Sequence, residues 1–172
     1  MKKAILVALG FSIGMTLSSQ ADSAAGHLSY KNADDADHGV GAGIMYTWDL
    51  QYKLRADGRF GFVHFGEQDV NLFPVEATIA YQWDNRVLEP YAGLGVGYYI
   101  VNADKGDADN EIGFQLFAGL EADIGWNMDL FAELNWLFLS TDVDQNLVQN
   151  ETSGDEMGLN GMGINVGLLY RF

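Results

Sequence analysis

From residue 39 onward apolar and polar positions exchange places at almost every step, the period-two signature of strands with two different faces. Val40, Ala42, Ile44, Tyr46 and Trp48 alternate with Gly39, Gly41, Gly43, Met45 and Thr47. Tyr52, Leu54, Ala56, Phe60 and Phe62 alternate with Lys53, Arg55, Asp57 and Arg59. Phe73 to Trp83 repeats the pattern against Glu76, Thr78 and Gln82, with Pro74 at the strand's start, where a missing N–H is tolerated. In the second half, Ala92 to Ile100, Phe114 to Trp126, Leu130 to Phe138 and Met162 to Phe172 do the same. A shorter alternation between Ala24 and Lys31 brings the strands to eight.

The connections alternate as well. Three are short and follow Trp48-Asp49, Trp83-Asp84 and Trp126-Asn127. Four are acidic, spanning 32–38, 67–71, 102–111 and 142–160. Short turns at one rim and mostly longer connections at the other predict an all-β, eight-stranded antiparallel up-and-down transmembrane β-barrel. A soluble barrel with an apolar interior would also alternate, but its solvated face would then be the glycine-rich set. Glycine weakens strands and suits crowding, which fits the inner wall of a narrow barrel. Trp48, Trp83 and Trp126 form an aromatic girdle at the short-turn rim, indole being suited to the hydrocarbon–headgroup boundary. With both termini on that side, the short turns are expected in the periplasm and the acidic connections outside.

The ends sharpen this picture. Lys2 and Lys3, the apolar stretch Ala4 to Leu17 and the small-x-small site Ser19-Gln20-Ala21 read as a cleavable signal peptide over 1–21. The barrel is expected over 22–172. Cysteine is absent, so disulfides and thiolate metal chemistry are excluded. The formal net charge of −15 argues against nucleic-acid binding, which needs a basic footprint.

Two segments carry a family resemblance. Leu168-x-Tyr170-x-Phe172, with Phe last, resembles the terminal strand read by the barrel assembly machinery, and Pro90-Tyr91-Ala92-Gly93-Leu94-Gly95-Val96-Gly97-Tyr98-Tyr99 is similar to a strand of the small OmpA/OmpW-like outer-membrane β-barrel group. The resemblance implies a bacterial outer-membrane location; in one departure the sequence stops at Phe172, so the peptidoglycan-binding domain of two-domain members is expected to be missing. It implies no activity. OmpW-like members suggest a narrow conduit for small, hydrophobic molecules as an alternative.

The most distinctive chemistry lies on the inward face. Lys53, Arg55, Asp57, Arg59, Glu76, Glu121, Asp123, Glu133 and Arg171 are expected to form a lumen charge network, with Arg59 reaching Glu76 and Glu133. In so narrow a barrel such charges pair and fill the interior; a gate that swaps partners is the functional alternative. His27 and Ser29 share a face, the minimal hint of a lipid-modifying enzyme, but no orienting third group is evident. Fourteen carboxylates crowd the acidic connections, from Asp34, Asp35 and Asp37 through Glu67, Asp69, Asp104, Asp107, Asp109 and Glu111 to Asp142, Asp144, Glu151, Asp155 and Glu156. They lack the spacing of a calcium loop, so weak divalent bridging to lipopolysaccharide is the most they suggest. The expectation is a monomeric, non-enzymatic envelope protein with no cofactor, no metal site and no catalytic residues, contacting outer-membrane lipid and lipopolysaccharide.

Overall fold

The computed structural model describes residues 22–33, 37–66, 70–84, 87–103, 111–139 and 160–172. The expected signal peptide and most of the acidic connections lie outside them: Asp34, Asp35, Glu67, Asp69, Asp104, Asp107, Asp109, Asp142, Asp144, Glu151, Asp155 and Glu156.

Eight strands close on themselves: β1 (Ser23–Ala33), β2 (Asp37–Asp49), β3 (Leu54–Phe65), β4 (Val70–Gln82), β5 (Glu89–Ala103), β6 (Glu111–Gly125), β7 (Met128–Leu139) and β8 (Gly161–Arg171). Each pairs antiparallel with its sequence neighbour, and β1 pairs with β8 from Ser23↔Arg171 to Ala33↔Gly161. Closure leaves no open edge, as a chain crossing hydrocarbon requires. The eight-stranded up-and-down barrel expected from the alternation is therefore found.

The period-two faces sort as expected. Leu28, Ile44, Phe60, Ile79, Leu94, Phe114, Leu134 and Val166 point outward and are exposed. Met45, Arg55, Asp57, Arg59, Tyr91, Phe117, Phe131 and Glu133 point inward and are buried. A contiguous apolar exterior on this scale marks a surface that meets lipid. The inward glycines make room for large neighbours: a β-carbon at Gly119 would run into the Tyr91 ring and the Ala132 carbonyl.

Three details depart from the alternation. Tyr52 and Lys53 are not in β3 but in a short 3₁₀ turn, Gln51–Lys53, each with φ of 64°. Trp126 and Asn127 likewise lie outside the strands, in a two-residue turn with φ of 59° and 60°. Two consecutive left-handed residues match the twist of a tight hairpin, at a steric cost of roughly 1–2 kcal/mol each without glycine. Pro74 is the fifth residue of β4 rather than its start, and the β3–β4 ladder runs from Phe60↔Val75 directly to Val63↔Leu72. A proline has no N–H for β3 at that point, so the pairing skips it.

The interior is layered. Toward the long-connection end, Val63, Phe65, Val70, Leu72, Tyr99 and Leu137 form a buried apolar cluster. Below it sit the charged residues, flanked by smaller apolar groups around Met45 and Phe131 and around Tyr91 and Phe117. Nothing in the alternation had singled out this apolar cap.

The two kinds of glycine are expected to respond differently to alanine. Gly26 faces open space, so Gly26→Ala should leave unfolding by urea in lipid vesicles unchanged, whereas Gly119→Ala should destabilise by about 1–3 kcal/mol through overpacking. Equal effects at both positions would contradict the inward assignment of Gly119.

Candidate functional site

Every second residue of β3 from Leu54 to Phe60 points inward, so Arg55, Asp57 and Arg59 stand in a column with the acid between the bases. The three lie between 2% and 6% exposed, out of reach of bulk water. Charges so placed need partners across the lumen, and the opposite strands supply them. Arg59 donates through Nη1 to Glu133 Oε1 at 2.7 Å and through Nη2 to Glu133 Oε2 at 2.9 Å. This bidentate pair joins β3 to β7, its opposite in the ring of eight, and so crosses the lumen. Arg55 Nη1 donates to Glu121 Oε1 on β6. Asp57 links the tiers, accepting from Arg59 Nη2 at 3.0 Å and lying 3.5 Å from Arg55 Nε.

Two guanidiniums face three carboxylates, and neutral donors meet the surplus of acceptors. Thr47 and Thr78 are the cross-strand neighbours of Asp57 on β2 and β4, and each donates its hydroxyl to it at 2.9 Å. Glu133 also accepts from Asn165 Nδ2, its neighbour on β8, at 3.1 Å. The row Tyr91↔Gly119↔Glu133 lets the Tyr91 hydroxyl reach Glu133 at 3.2 Å across the missing side chain. Gln82 Nε2 donates to Glu121 Oε2 at 3.2 Å and to Glu89 Oε2 at 2.7 Å. Aromatic faces complete the packing, with the Arg55 guanidinium 4.0 Å from the Tyr91 ring centre and that of Arg59 4.4 Å from Phe117.

Five of the nine expected network residues meet here: Arg55, Asp57, Arg59, Glu121 and Glu133. The other four do not. Lys53 leaves the column because its turn has already left the strand, and it bonds Asp84 of the neighbouring turn at 2.7 Å. That hydrogen bond raises the lysine's pKa above its ordinary value, so whatever the pair adds is present at neutral pH and lost only as pH rises past that raised value. Asp123 is exposed at the end of β6 and accepts the Gly125 N–H at 2.7 Å. Arg171 is half-exposed at the short-turn mouth, 2.6 Å from Asp129 and 3.6 Å from Glu89. Glu76 is the register neighbour of Arg59, but its carboxylate accepts from Tyr99 at 2.8 Å, while Arg59 turns toward Glu133. Buried Asp129 was missed, although its inward parity with Phe131 and Glu133 was there to be read.

The remaining candidates are placed plainly. Ser29 donates its hydroxyl to Asn165 at 2.8 Å instead of meeting His27, so the two do not form a nucleophile–base pair. Trp48 is half-buried over Gly58, Trp83 packs edge-on against Tyr81 at 5.0 Å, and Trp126 is 95% exposed. All three sit at the short-turn rim. Leu168, Tyr170 and Phe172 face outward at the end of β8, and the Phe172 N–H donates to the Asp22 carbonyl at 3.0 Å. Among the described residues no group of three or more His, Asp or Glu is disposed to hold a metal ion.

A vestibule of about 460 Å³ opens at the short-turn end, with Arg55 and Glu121 among its walls. A second cavity, of about 20 Å³, has Arg59 in its lining and extends to Val63 of the apolar cap. The two ion-pair tiers stand between them.

The family model described as the outer membrane protein beta-barrel domain matches residues 5–172. No curated protein sequence matches the chain. Among solved structures, the fold is similar to that of neisserial surface protein A, NspA, with a TM-score of 0.66 and 16% identity over 87% of this chain and 95% of that one. It is also similar to the N-terminal barrel of Pseudomonas aeruginosa OprF, with a TM-score of 0.57 and 15% identity over 88% and 98% of the two chains. Ail, the attachment invasion locus protein of Yersinia pestis, follows with a TM-score of 0.51 and 16% identity over 87% and 95%. At these identities the likeness is one of fold.

The network ranks its members. Asp57→Ala, which strips a carboxylate from between two buried guanidiniums, is expected to cost about 3–5 kcal/mol. Glu76→Ala, which leaves the hydroxyl of buried Tyr99 without its acceptor, should cost about 1–3 kcal/mol. Urea unfolding in lipid vesicles measures both, and a larger loss at Glu76 would contradict the arrangement.

Proposed function

The chain belongs to the outer membrane protein β-barrel domain family and resides in the bacterial outer membrane, and from that premise we propose that it is a closed, non-enzymatic envelope protein. Its barrel anchors acidic connections at the cell surface. The observation that carries this reading is the double tier of ion pairs, Arg55–Glu121 and Arg59–Glu133, spanning a lumen only wide enough for side chains. The apolar cap beyond them leaves little for a hydrated solute to follow. The alternative, a narrow channel or a conduit for small hydrophobic molecules, needs a path past Arg59 that these contacts occupy.

In this reading residues 1–21 are an export signal and 22–172 the barrel, which works as a monomer. The short turns lie in the periplasm, where Trp48, Trp83 and Trp126 hold the barrel at the headgroup boundary. Leu168, Tyr170 and Phe172 on the last strand serve recognition by the assembly machinery. Outer-membrane lipid and lipopolysaccharide surround the wall, and divalent cations bridge weakly between the acidic connections and anionic headgroups.

The charge of the surface also limits its partners. Ail has been crystallised with the heparin analogue sucrose octasulfate. Here the four long connections hold fourteen carboxylates against the single cation Lys105. Like charges repel, so a polyanion of that kind is a poor partner and a cationic one a good one.

In planar bilayers the wild-type barrel is expected to give no stepwise conductance; regular steps from pure protein would replace the closed reading with the channel. On immobilised heparin at physiological salt the folded protein should pass unretained, and salt-dependent retention would contradict the surface assignment.

A further inference from the structure

Between the Arg59–Glu133 pair and the apolar cap lies the cavity of about 20 Å³, lined by His27, Ser29, Arg59, Glu76, Gln115 and Asn165 among others. Three nitrogens of these lining residues, Arg59 Nε, Gln115 Nε2 and His27 Nδ1, are buried and make no hydrogen bond to another protein group. Gln115 and Arg59 are 3% and 6% exposed, so water outside the barrel does not serve them. Buried polar atoms almost always find a partner, and here the three belong to side chains around one small polar space.

We propose that this space is a built site for internal water, one or two molecules held between the ion-pair tier and the cap. The chemistry of the lining selects the occupant. Arg59 Nε and Gln115 Nε2 can only donate, so the guest must accept at two points. His27 Nδ1 accepts in the tautomer protonated at Nε2, and the carboxylate of Glu76 accepts always, so the guest must also donate. Water does both. A halide accepts only and would lie beside Glu76, and an ammonium donates only and would lie beside Arg59 and Lys31. The size agrees, since about 10–15 Å³ of this measure admits one water. Arg59 and Val63 both line the space, so it lies between the ion-pair tier and the apolar cap.

The lumen is then wet at one point while remaining closed as a path. The water also ties β1, β3 and β6, which carry His27, Arg59 and Gln115 and are not hydrogen-bonded neighbours of one another.

Crystals of the wild-type barrel grown with sodium bromide test the assignment. The expected result is ordered water density at hydrogen-bond distance, roughly 2.7–3.2 Å, from Arg59 Nε and Gln115 Nε2, with no anomalous bromine peak there. A bromine peak, no density, or lining side chains paired directly with one another would each overturn it. Gln115→Leu should abolish or displace the water while the bidentate Arg59–Glu133 pair persists. Water density unmoved in that variant would equally refute the role given to Gln115.

Discussion

Two guanidiniums on one strand of a narrow barrel are cut off from bulk water, and most of the interior follows from that constraint. An isolated buried charge is far costlier than a paired one, so Arg55 and Arg59 dictate carboxylates on β6 and β7, where their side chains end. A carboxylate between them, Asp57, relieves the repulsion within the column. Three acids against two bases leave acceptors over, and these dictate donors at register positions, Thr47 and Thr78 beside Asp57 and Asn165 beside Glu133. The aromatic rings under the guanidiniums in turn require glycine on the neighbouring strand, as Gly119 shows beside Tyr91.

The outer face answers to a different solvent. Apolar residues cover it, and the aromatic groups gather at its rims, with Trp83 and Trp126 at the short turns and Trp136 and Phe138 toward the other end. The two faces are coupled only through the period of the strand: one slipped residue would exchange lipid-facing leucine for arginine on every following position. That coupling explains why the tight turns tolerate left-handed Trp126 and Asn127. A looser turn would leave the register free.

Much of this was legible beforehand, and the failures have physical causes. Alternation identified the strands, and inward parity placed Arg55, Asp57, Arg59, Glu121 and Glu133 together. Parity failed for Lys53 because it has positive φ itself, in the turn that ends where β3 begins, so counting backward from Arg55 runs off the strand. It failed for Asp123 because an inward position at the rim opens to water, where a carboxylate serves the turn instead. Glu76 shows a further limit. Register adjacency to Arg59 was correct, but a long guanidinium side chain chose the strand opposite over the strand beside it. The threonines, the tyrosine and the asparagine that complete the network carry no charge and so gave no signal, although their register positions would have revealed them once the pairing was known.

The central claim is that Arg59 and Glu133 are worth keeping only as a pair, and a double-mutant cycle addresses it most directly. Arg59→Leu, Glu133→Leu and the double variant would be unfolded with urea in lipid vesicles of one composition. Each single change is expected to cost about 3–5 kcal/mol, and the double change less than either, because no unpaired charge remains at that tier. Additive losses, with the double variant as unstable as the two singles together, would contradict the account.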